Sequence, residues 1–374
     1  MNNKLLQRAQ IGQATRIVVK VGSSSLTRPD GNLDVDQLAT ITGVLTAAHE
    51  RGQQVVLVSS GSTAAGIGPL GLSGKPREMH LHQAAAMVGQ SRLLAAWEAE
   101  FAKAHIKIGQ VLFTAEDGVN RRHYANAQSA LSTLLSLGVI PIVNENDAVV
   151  TDELRFGDND RLAALTSHLV ASEVLILLTD VDGLYTMPPK FEGARIISEV
   201  RSARDLESLE ITSHGSNVGT GGMRTKVAAA DLACSGGVAV LITSPENLGA
   251  ALSGESVGTW FHPTGRRTSA RKLWLEHAAQ VKGTIIVDGG AASALRRGGT
   301  SLLPVGVFAV AGKFASGDLV EIRQMDGATI GRGVCGFSSE ELTRIAGDKD
   351  IAHGLRPVVH VNDFVRARAG HDSH

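Results

Sequence analysis

The chain runs Arg16-Ile17-Val18-Val19-Lys20-Val21 and continues with Gly22-Ser23-Ser24-Ser25. A short run rich in β-branched residues predicts a buried strand, and the glycine and serines predict the turn that ends it. Lys20 falls at the carboxyl end of this strand, and Gly22 lets backbone N–H groups approach a ligand closely, which suits a phosphate oxygen. An ordinary turn at the end of a strand explains the same residues. The stretch therefore predicts a strand, and a phosphate-binding role is the less favoured interpretation.

The same pattern recurs through the first two-thirds of the chain. Apolar runs that predict strands fall at 16–21, 55–58, 108–113, 139–143, 174–178 and 238–242. Helix-length amphipathic segments lie between them, at 34–51, 77–104, 121–137, 160–170 and 223–235. Strands that alternate with helices predict an α/β fold with a largely parallel sheet. Ligands of such sheets bind at the carboxyl ends of the strands.

After Trp260 the pattern changes to a polar stretch, followed by short runs rich in glycine and valine at 284–287, 305–310, 319–322 and 358–361. These runs predict a small β-rich domain. We therefore expect an α/β domain at 1–265, a linker at 266–280, a β-rich domain at 281–365 and a frayed tail at 366–374. The length of 374 residues agrees with two unequal domains.

The composition excludes several classes of protein. Hydrophobic residues make up 43% of the chain and charged residues 20%, which predicts a folded globular protein. The net charge is −1, so no overall field attracts nucleic acid or an anionic membrane. Two cysteines, Cys234 and Cys335, form neither a disulfide framework nor a zinc knuckle. With no signal peptide and no long apolar stretch, we expect a cytoplasmic protein.

Polar clusters follow two of the predicted strands. The second strand ends in Ser59-Ser60-Gly61-Ser62, where small residues leave room for a ligand, although an ordinary helix cap explains them equally well. The fourth strand is followed by Asn144-Glu145-Asn146-Asp147, whose carboxylates are good acceptors for an ammonium group. Turn formation is the alternative for this second cluster.

Two more clusters lie further along the chain. Gly157-Asp158-Asn159-Asp160 opens a predicted helix, and helix capping needs one of these side chains but leaves the others spare. The preceding residues 148–156 alternate enough to predict a β-hairpin that would bring the two acidic clusters together. The fifth strand ends in Thr179-Asp180, a pair suited to a nucleotide, while Asp182 and Gly183 are explained by a turn.

A glycine-rich stretch gives the strongest single signal. It leads into an alanine-rich helix and reads Gly219-Thr220-Gly221-Gly222-Met223-Arg224-Thr225-Lys226. Consecutive glycines at a helix N-terminus offer backbone N–H groups to an anion, and Lys226 follows one turn later. The spacing differs from a Walker A loop, and a flexible loop is the alternative. His80 and His82 lack partners at metal-ligand spacing, so we expect a solvated helix start there.

These motifs all fall at strand carboxyl ends of one predicted sheet. Lysines, a glycine nest and acidic clusters together describe ATP held beside a cationic or amphoteric acceptor. Phosphoryl transfer needs mainly positioning and neutralisation of charge, which two converging lysines provide. A carboxylate acceptor is already nucleophilic and needs no general base.

In this order the motifs resemble the amino-acid kinase family, and within it the members that phosphorylate the side-chain carboxylate of glutamate. The resemblance implies an α/β/α sandwich. Residues 283–347, with Asp288-Gly289-Gly290-Ala291 and Ser301-Leu302-Leu303-Pro304, resemble the PUA domain that follows the kinase domain in bacterial members. The resemblance covers nearly the whole chain.

The resemblance also implies roles for individual residues. Lys20 and Lys226 would neutralise the moving phosphoryl group while Asp160 holds both lysines. Glutamate would be bound by Ser60, Gly61, Asn144, Asp147 and Asn159. ATP would be bound by Lys20, Thr179, Asp180, Thr220, Gly221, Gly222, Met223, Arg224, Thr225 and Lys226. Mg²⁺ would accompany the phosphates, and no protein residue is required to ligate it.

Partners follow from the same resemblance. It implies proline as a feedback inhibitor, a reductase that consumes the labile glutamyl 5-phosphate, and a homo-oligomer, either dimer or tetramer. Ser62 and Thr63 depart from the family, which often has alanine after Ser-Gly, and an added hydroxyl is expected to alter affinity or feedback sensitivity.

Two rival hypotheses remain. A sister kinase would act on N-acetylglutamate, aspartate or UMP, although acetylation removes the ammonium that Asp147 suits. An RNA-binding factor is the other, because PUA domains occur in RNA-modifying enzymes. From Val281 onward, eleven basic and ten acidic residues leave a net charge of only +1, a weak footprint for RNA.

Overall fold

A computed structural model describes residues 7–28, 32–74, 76–149, 159–202, 204–207, 222–264, 270–277, 280–347 and 356–367. These residues fall into two compact units. The first unit comprises Met1–Thr114 and Asn126–Ala270, and the second comprises Ala115–Ala125 and Arg271–His374. In the part of the chain that is described, no helix combines the length and apolar character that crossing a bilayer requires.

The first unit is built on an eight-stranded sheet. Its strands are β1 (Arg16–Val21), β2 (Gln54–Ser59), β3 (Ile108–Phe113), β4 (Ile140–Glu145), β5 (Val174–Leu178), β6 (Glu199–Val200), β7 (Ala239–Thr243) and β8 (Thr259–Phe261). They lie in the order β3-β4-β2-β1-β5-β7-β8-β6. All neighbours are parallel except β7 and β8, which confirms the predicted largely parallel sheet.

Helices connect these strands. They are α1 (Val35–Glu50), α2 (Ser62–Ile67), α3 (Met79–Ala102), α4 (Ala115–Val119), α5 (Arg121–Ser136), α6 (Asn159–Leu169), α7 (Arg204–Glu207), α8 (Gly222–Ser235) and α9 (Leu248–Leu252). The Asp34 side chain caps α1 by accepting a hydrogen bond from Gln37 N. Val19 and Leu57 of the sheet share one buried apolar cluster with Leu45 of α1 and Trp97 of α3. This packing fixes the strand ends on which the polar clusters lie.

The second unit contains a five-stranded sheet. Its strands are β9 (Gly283–Val287), β10 (Val307–Ala311), β11 (Leu319–Gln324), β12 (Thr329–Cys335) and β13 (Val359–Arg366), in the order β10-β9-β11-β12-β13. Helices α10 (Ala270–His277), α11 (Gly289–Arg297) and α12 (Ser339–Ile345) accompany it. This unit confirms the predicted small β-rich domain.

The domain boundaries stay a prediction, and the structure differs from them at two places. The expected linker at 266–280 contains α10, whose Trp274 is buried and donates from Nε1 to the carbonyl oxygen of Ala115 at 3.2 Å. Residues Ala115–Ala125 belong to the second unit, although they precede β4 in the chain. A Cβ on Gly118 would lie 1.3 Å from Trp274 Nε1, so only glycine permits this packing.

Candidate functional site

A buried carboxylate at the start of α6 joins two lysines. Lys20 Nζ lies 2.6 Å from Asp160 Oδ1, and Lys226 Nζ donates to Asp160 Oδ2 at 3.1 Å. Relative exposure is 0% for Asp160, 4% for Lys20 and 8% for Lys226. The three groups come from β1, α6 and α8, which lie far apart in the sequence. We call this arrangement the lysine cluster.

The charge state of Asp160 follows from competing effects. Burial acts to raise the pKa of Asp160, because a carboxylate loses its hydration. The positive charges of Lys20 and Lys226 and their hydrogen bonds act in the opposite direction and prevail, so the pKa is lowered. The carboxylate is therefore ionised at neutral pH and holds two ammonium groups close together.

A chain of amides and hydroxyls lies next to the lysine cluster. Asn159 Nδ2 donates to Ser60 Oγ and to Asn144 Oδ1, both at 2.8 Å. Asn144 Nδ2 donates to Gln90 Oε1 at 2.8 Å, and Asn144 Oδ1 accepts from Glu145 N at 2.9 Å. Asn159 Oδ1 is buried and has no hydrogen-bond partner among the described residues. A buried acceptor of this kind is available to a donor on a ligand.

Asp147 lies two residues beyond the end of β4. Ser62 Oγ donates to Asp147 Oδ2 at 3.1 Å. The loop that carries Ser62 turns at Gly61, whose φ of +105° lies in a region that side chains disfavour. A cavity of about 390 Å³ reaches the network at Asp147 and is lined by Ser62, Ala86, Met87, Gln90, Ser91, Leu94, Ala95, Glu98, Gln110, Leu112, Glu145, Asn146, Asp147 and Ala148.

Most residues predicted to bind ATP lie just after the carboxyl end of β5 or at the N-terminus of α8. Thr179 is buried and donates from Oγ1 to Asp180 Oδ1 at 3.0 Å, while Asp180 is exposed. Thr225 Oγ1 donates to Gly222 O at 2.9 Å and contacts Asp160 Oδ2 at 3.3 Å. Met223 is half-buried and Arg224 is exposed. Thr220 and Gly221 lie outside the described residues.

The predictions for residues 148–158 and for the two histidines have different outcomes. The predicted hairpin at 148–156 falls outside the described residues from position 150, as do Gly157 and Asp158. The solvated helix start is wrong for His82, which is buried and whose Nε2 lies 3.2 Å from Thr63 Oγ1. It is correct for His80, which is exposed at the start of α3. The cause is the close packing of α2 on α3, which the helix pattern alone does not specify.

Sequence reasoning missed Gln90. Its side chain accepts from Asn144, which fixes the amide orientation of that residue. The available signal was its spacing, because Gln83 and Gln90 are seven residues apart and share one face of a helix rich in alanine. In the described part of the chain, no group of three His, Cys, Asp or Glu side chains gathers as a metal site.

Comparisons with known proteins concern the sequence and the fold of the chain. Residues 15–244 match the amino acid kinase family, and residues 283–353 match the PUA domain. A glutamate 5-kinase of Streptomyces coelicolor is 48% identical over 366 residues, which cover 96% of this chain and 98% of that protein. One from Frankia casuarinae is 50% identical over 367 residues, with 96% and 98% covered.

A solved structure supports the fold. The carbamate kinase of Giardia lamblia, bound to AMP-PNP, is similar with a TM-score of 0.51 at 19% identity, over 67% of this chain and 99% of that one. At this identity the likeness concerns the fold alone, which is that of the first unit's parallel sheet. From the family match and the relatives together, we conclude that the chain belongs to the amino acid kinase family, and within it to the group of glutamate 5-kinases.

Proposed function

We propose that this protein transfers the γ-phosphoryl group of ATP to the side-chain carboxylate of L-glutamate, giving L-glutamyl 5-phosphate and ADP in the first step of proline biosynthesis. The observation that carries the proposal is the lysine cluster, two buried ammonium groups on one carboxylate beside the amide network of Asn144 and Asn159. The relatives named above are glutamate 5-kinases at 48% and 50% identity.

In the proposed reaction, a carboxylate oxygen of glutamate attacks the γ-phosphorus, and the bond to the bridging oxygen of ADP breaks. Lys20 and Lys226 neutralise the charge on the transferred group, and Asp160 holds both ammonium groups in place. Asp160 accepts from both lysines and is not required as a base, because the attacking carboxylate is ionised at neutral pH.

Glutamate would bind through its amino group and its main-chain carboxylate. The ammonium would meet the Asp147 carboxylate and Asn159 Oδ1, an acceptor that has no hydrogen-bond partner among the described residues. Ser60 and Asn144 accept hydrogen bonds from the Asn159 amide. Gly61 has no side chain and would let the ligand approach the loop backbone. This arrangement favours free glutamate over N-acetylglutamate.

ATP would lie over the ends of β5 and α8, against Thr179, Asp180 and the stretch 220–226. We propose that Mg²⁺ enters as part of the MgATP substrate, where it offsets phosphate charge.

The proposed reaction also suggests further partners. The acyl phosphate product is labile, so a reductase that consumes it is the proposed functional partner. We also propose inhibition by proline and a homo-oligomeric state. We propose a cytoplasmic location because Cys234 and Cys335 are buried free thiols, which suits a reducing compartment.

The reaction is tested by trapping the product. Purified protein with MgATP, hydroxylamine and L-glutamate should form the hydroxamate of glutamate, read as its coloured iron complex. The same assay is run with N-acetylglutamate, with aspartate and with UMP in an ADP-release format. Turnover of any of these without turnover of glutamate would reject the assignment.

Asp147→Asn should raise the KM for glutamate about tenfold or more and leave the KM for ATP nearly unchanged. The change removes the charge that faces the ammonium, and hydrogen bonds to charged groups contribute roughly 1.5 to 3 kcal/mol. Steady-state kinetics with each substrate varied in turn measures both constants. A change confined to the ATP KM would mean that the ammonium lies elsewhere.

A further inference from the structure

The hydroxyl of Ser62 has a defined partner in the site. Ser62 is the first residue of α2 and is 3% exposed, and its Oγ donates to Asp147 Oδ2 at 3.1 Å. The Ser62 hydroxyl has one hydrogen to donate, so its bond occupies one lone pair of the Asp147 carboxylate. The other lone pairs of the carboxylate are left for a ligand. Asp147 itself is only half-buried and follows the end of β4, where the backbone alone does not fix its side chain.

The position of this hydroxyl is set by backbone packing. A Cβ on Gly89 of α3 would lie 1.7 Å from the carbonyl oxygen of Ser62, and a Cβ on Gly66 of α2 would lie 1.9 Å from the carbonyl oxygen of Ala85. The two helices therefore meet backbone to backbone, which only glycine permits at these positions. Ser62 is a fixed point against which the Asp147 carboxylate is held.

Resting on the proposed function, we propose that Ser62 is a positioning residue that sets the affinity for the amino group of glutamate by orienting the Asp147 carboxylate. A carboxylate already held in its binding orientation loses less rotational freedom when the ammonium binds. Among the described residues, Ser62 Oγ bonds to Asp147 while the two lysines of the cluster contact Asp160, so the transfer step itself should not depend on Ser62.

The test is Ser62→Ala, which removes one buried hydroxyl and retains the Cβ. The KM for glutamate should rise about three- to tenfold, while kcat and the KM for ATP stay within about twofold of the wild type. Thr63→Val is the matched control, because it removes the neighbouring hydroxyl, whose partner is His82 rather than Asp147. Its KM for glutamate should stay within about twofold of the wild type.

A double-mutant cycle shows whether Ser62 acts through Asp147. In the Asp147→Asn background, Ser62→Ala should change the KM for glutamate by less than about twofold, because residues that act through one another are not additive. Equal, additive effects in both backgrounds would overturn the proposal. So would equal increases for Ser62→Ala and Thr63→Val, which would indicate general loosening of the loop.

The two proposals fail in different ways. Wild-type protein that forms no hydroxamate from glutamate contradicts the proposed function. Wild-type protein that uses glutamate, together with a Ser62→Ala variant of unchanged KM, leaves the function intact and removes the role of Ser62. Thermal unfolding by circular dichroism, compared between wild type and each variant, identifies any variant whose kinetics reflect misfolding.

Discussion

Lys226→Ala should lower kcat by about a hundredfold or more while the protein remains folded. Lys226 Nζ lies 3.1 Å from Asp160 in a buried site, where little water competes for its charge. A group that stabilises charge developing on the transferred phosphoryl contributes to the transition state more than to the ground state. The KM values for ATP and glutamate should therefore change less than kcat.

Three further variants make this result specific. Lys226→Met removes the charge but keeps much of the volume, and it should match the alanine variant. Lys226→Arg keeps a charge on a broader, planar group and should recover only part of the rate, because its donors are placed differently. Lys313→Ala removes an exposed lysine of the second unit and should behave like the wild type. An unchanged kcat in Lys226→Met would exclude Lys226 from the transfer step.

The sequence predicts the strands of the first unit well where apolar β-branched residues run without interruption. The expected bounds 16–21, 108–113 and 174–178 coincide with β1, β3 and β5. β1 and β5 lie in the middle of the parallel sheet and are buried, so their sequences carry a strong apolar signal, whereas β3 is a partly buried edge strand. This signal depends on neighbouring residues alone, which explains why it is readable without a structure.

Other elements depend on distant contacts and were missed. Strand β12 carries Gly331 and Gly333, and a Cβ on either would lie within 2.4 Å of an atom of β13. The glycines are needed for close approach of a neighbouring strand, yet in a sequence they read as a loop. The sequence predicts a linker where α10 lies for a similar reason, since the buried Trp274 of this helix contacts Ala115, about 160 positions earlier.

Some contacts of the candidate site could likewise be predicted from the sequence, and others could not. The sequence places both lysines at one edge of a parallel sheet, and the family resemblance implies that Asp160 holds them; the structure brings Lys20, Asp160 and Lys226 together. The partners Ser62 with Asp147 and Asn144 with Gln90 depend on how α2 and α3 pack, which no local pattern encodes. The catalytic and binding roles of these residues stay predictions that kinetics must test.

Asp160→Asn should reduce both activity and stability. The variant removes the ionised carboxylate that both buried ammonium groups contact, and breaking a buried ion pair in this way costs roughly 3 to 5 kcal/mol of unfolding free energy. The kcat should also fall by on the order of a hundredfold, because the lysines lose the group that orients them. Asp231→Asn, an exposed change on α8, is the matched control and should alter neither property.

The pH dependence of unfolding separates the charge of Asp160 from its packing. Burial opposes ionisation, but Lys20 and Lys226 hold the folded-state pKa below the unfolded value of about 3.9. The contribution of Asp160 is therefore complete above that value and is lost as pH falls through the lower, folded-state pKa. Urea unfolding is measured between pH 7 and pH 3. The stability difference between wild type and Asp160→Asn should stay constant down to about pH 4 and become smaller below it. Asp160→Glu keeps the charge and should retain more stability than activity. A difference between wild type and Asp160→Asn that stays the same across the whole acid range would mean that packing, and not the ionised carboxylate, holds the two lysines.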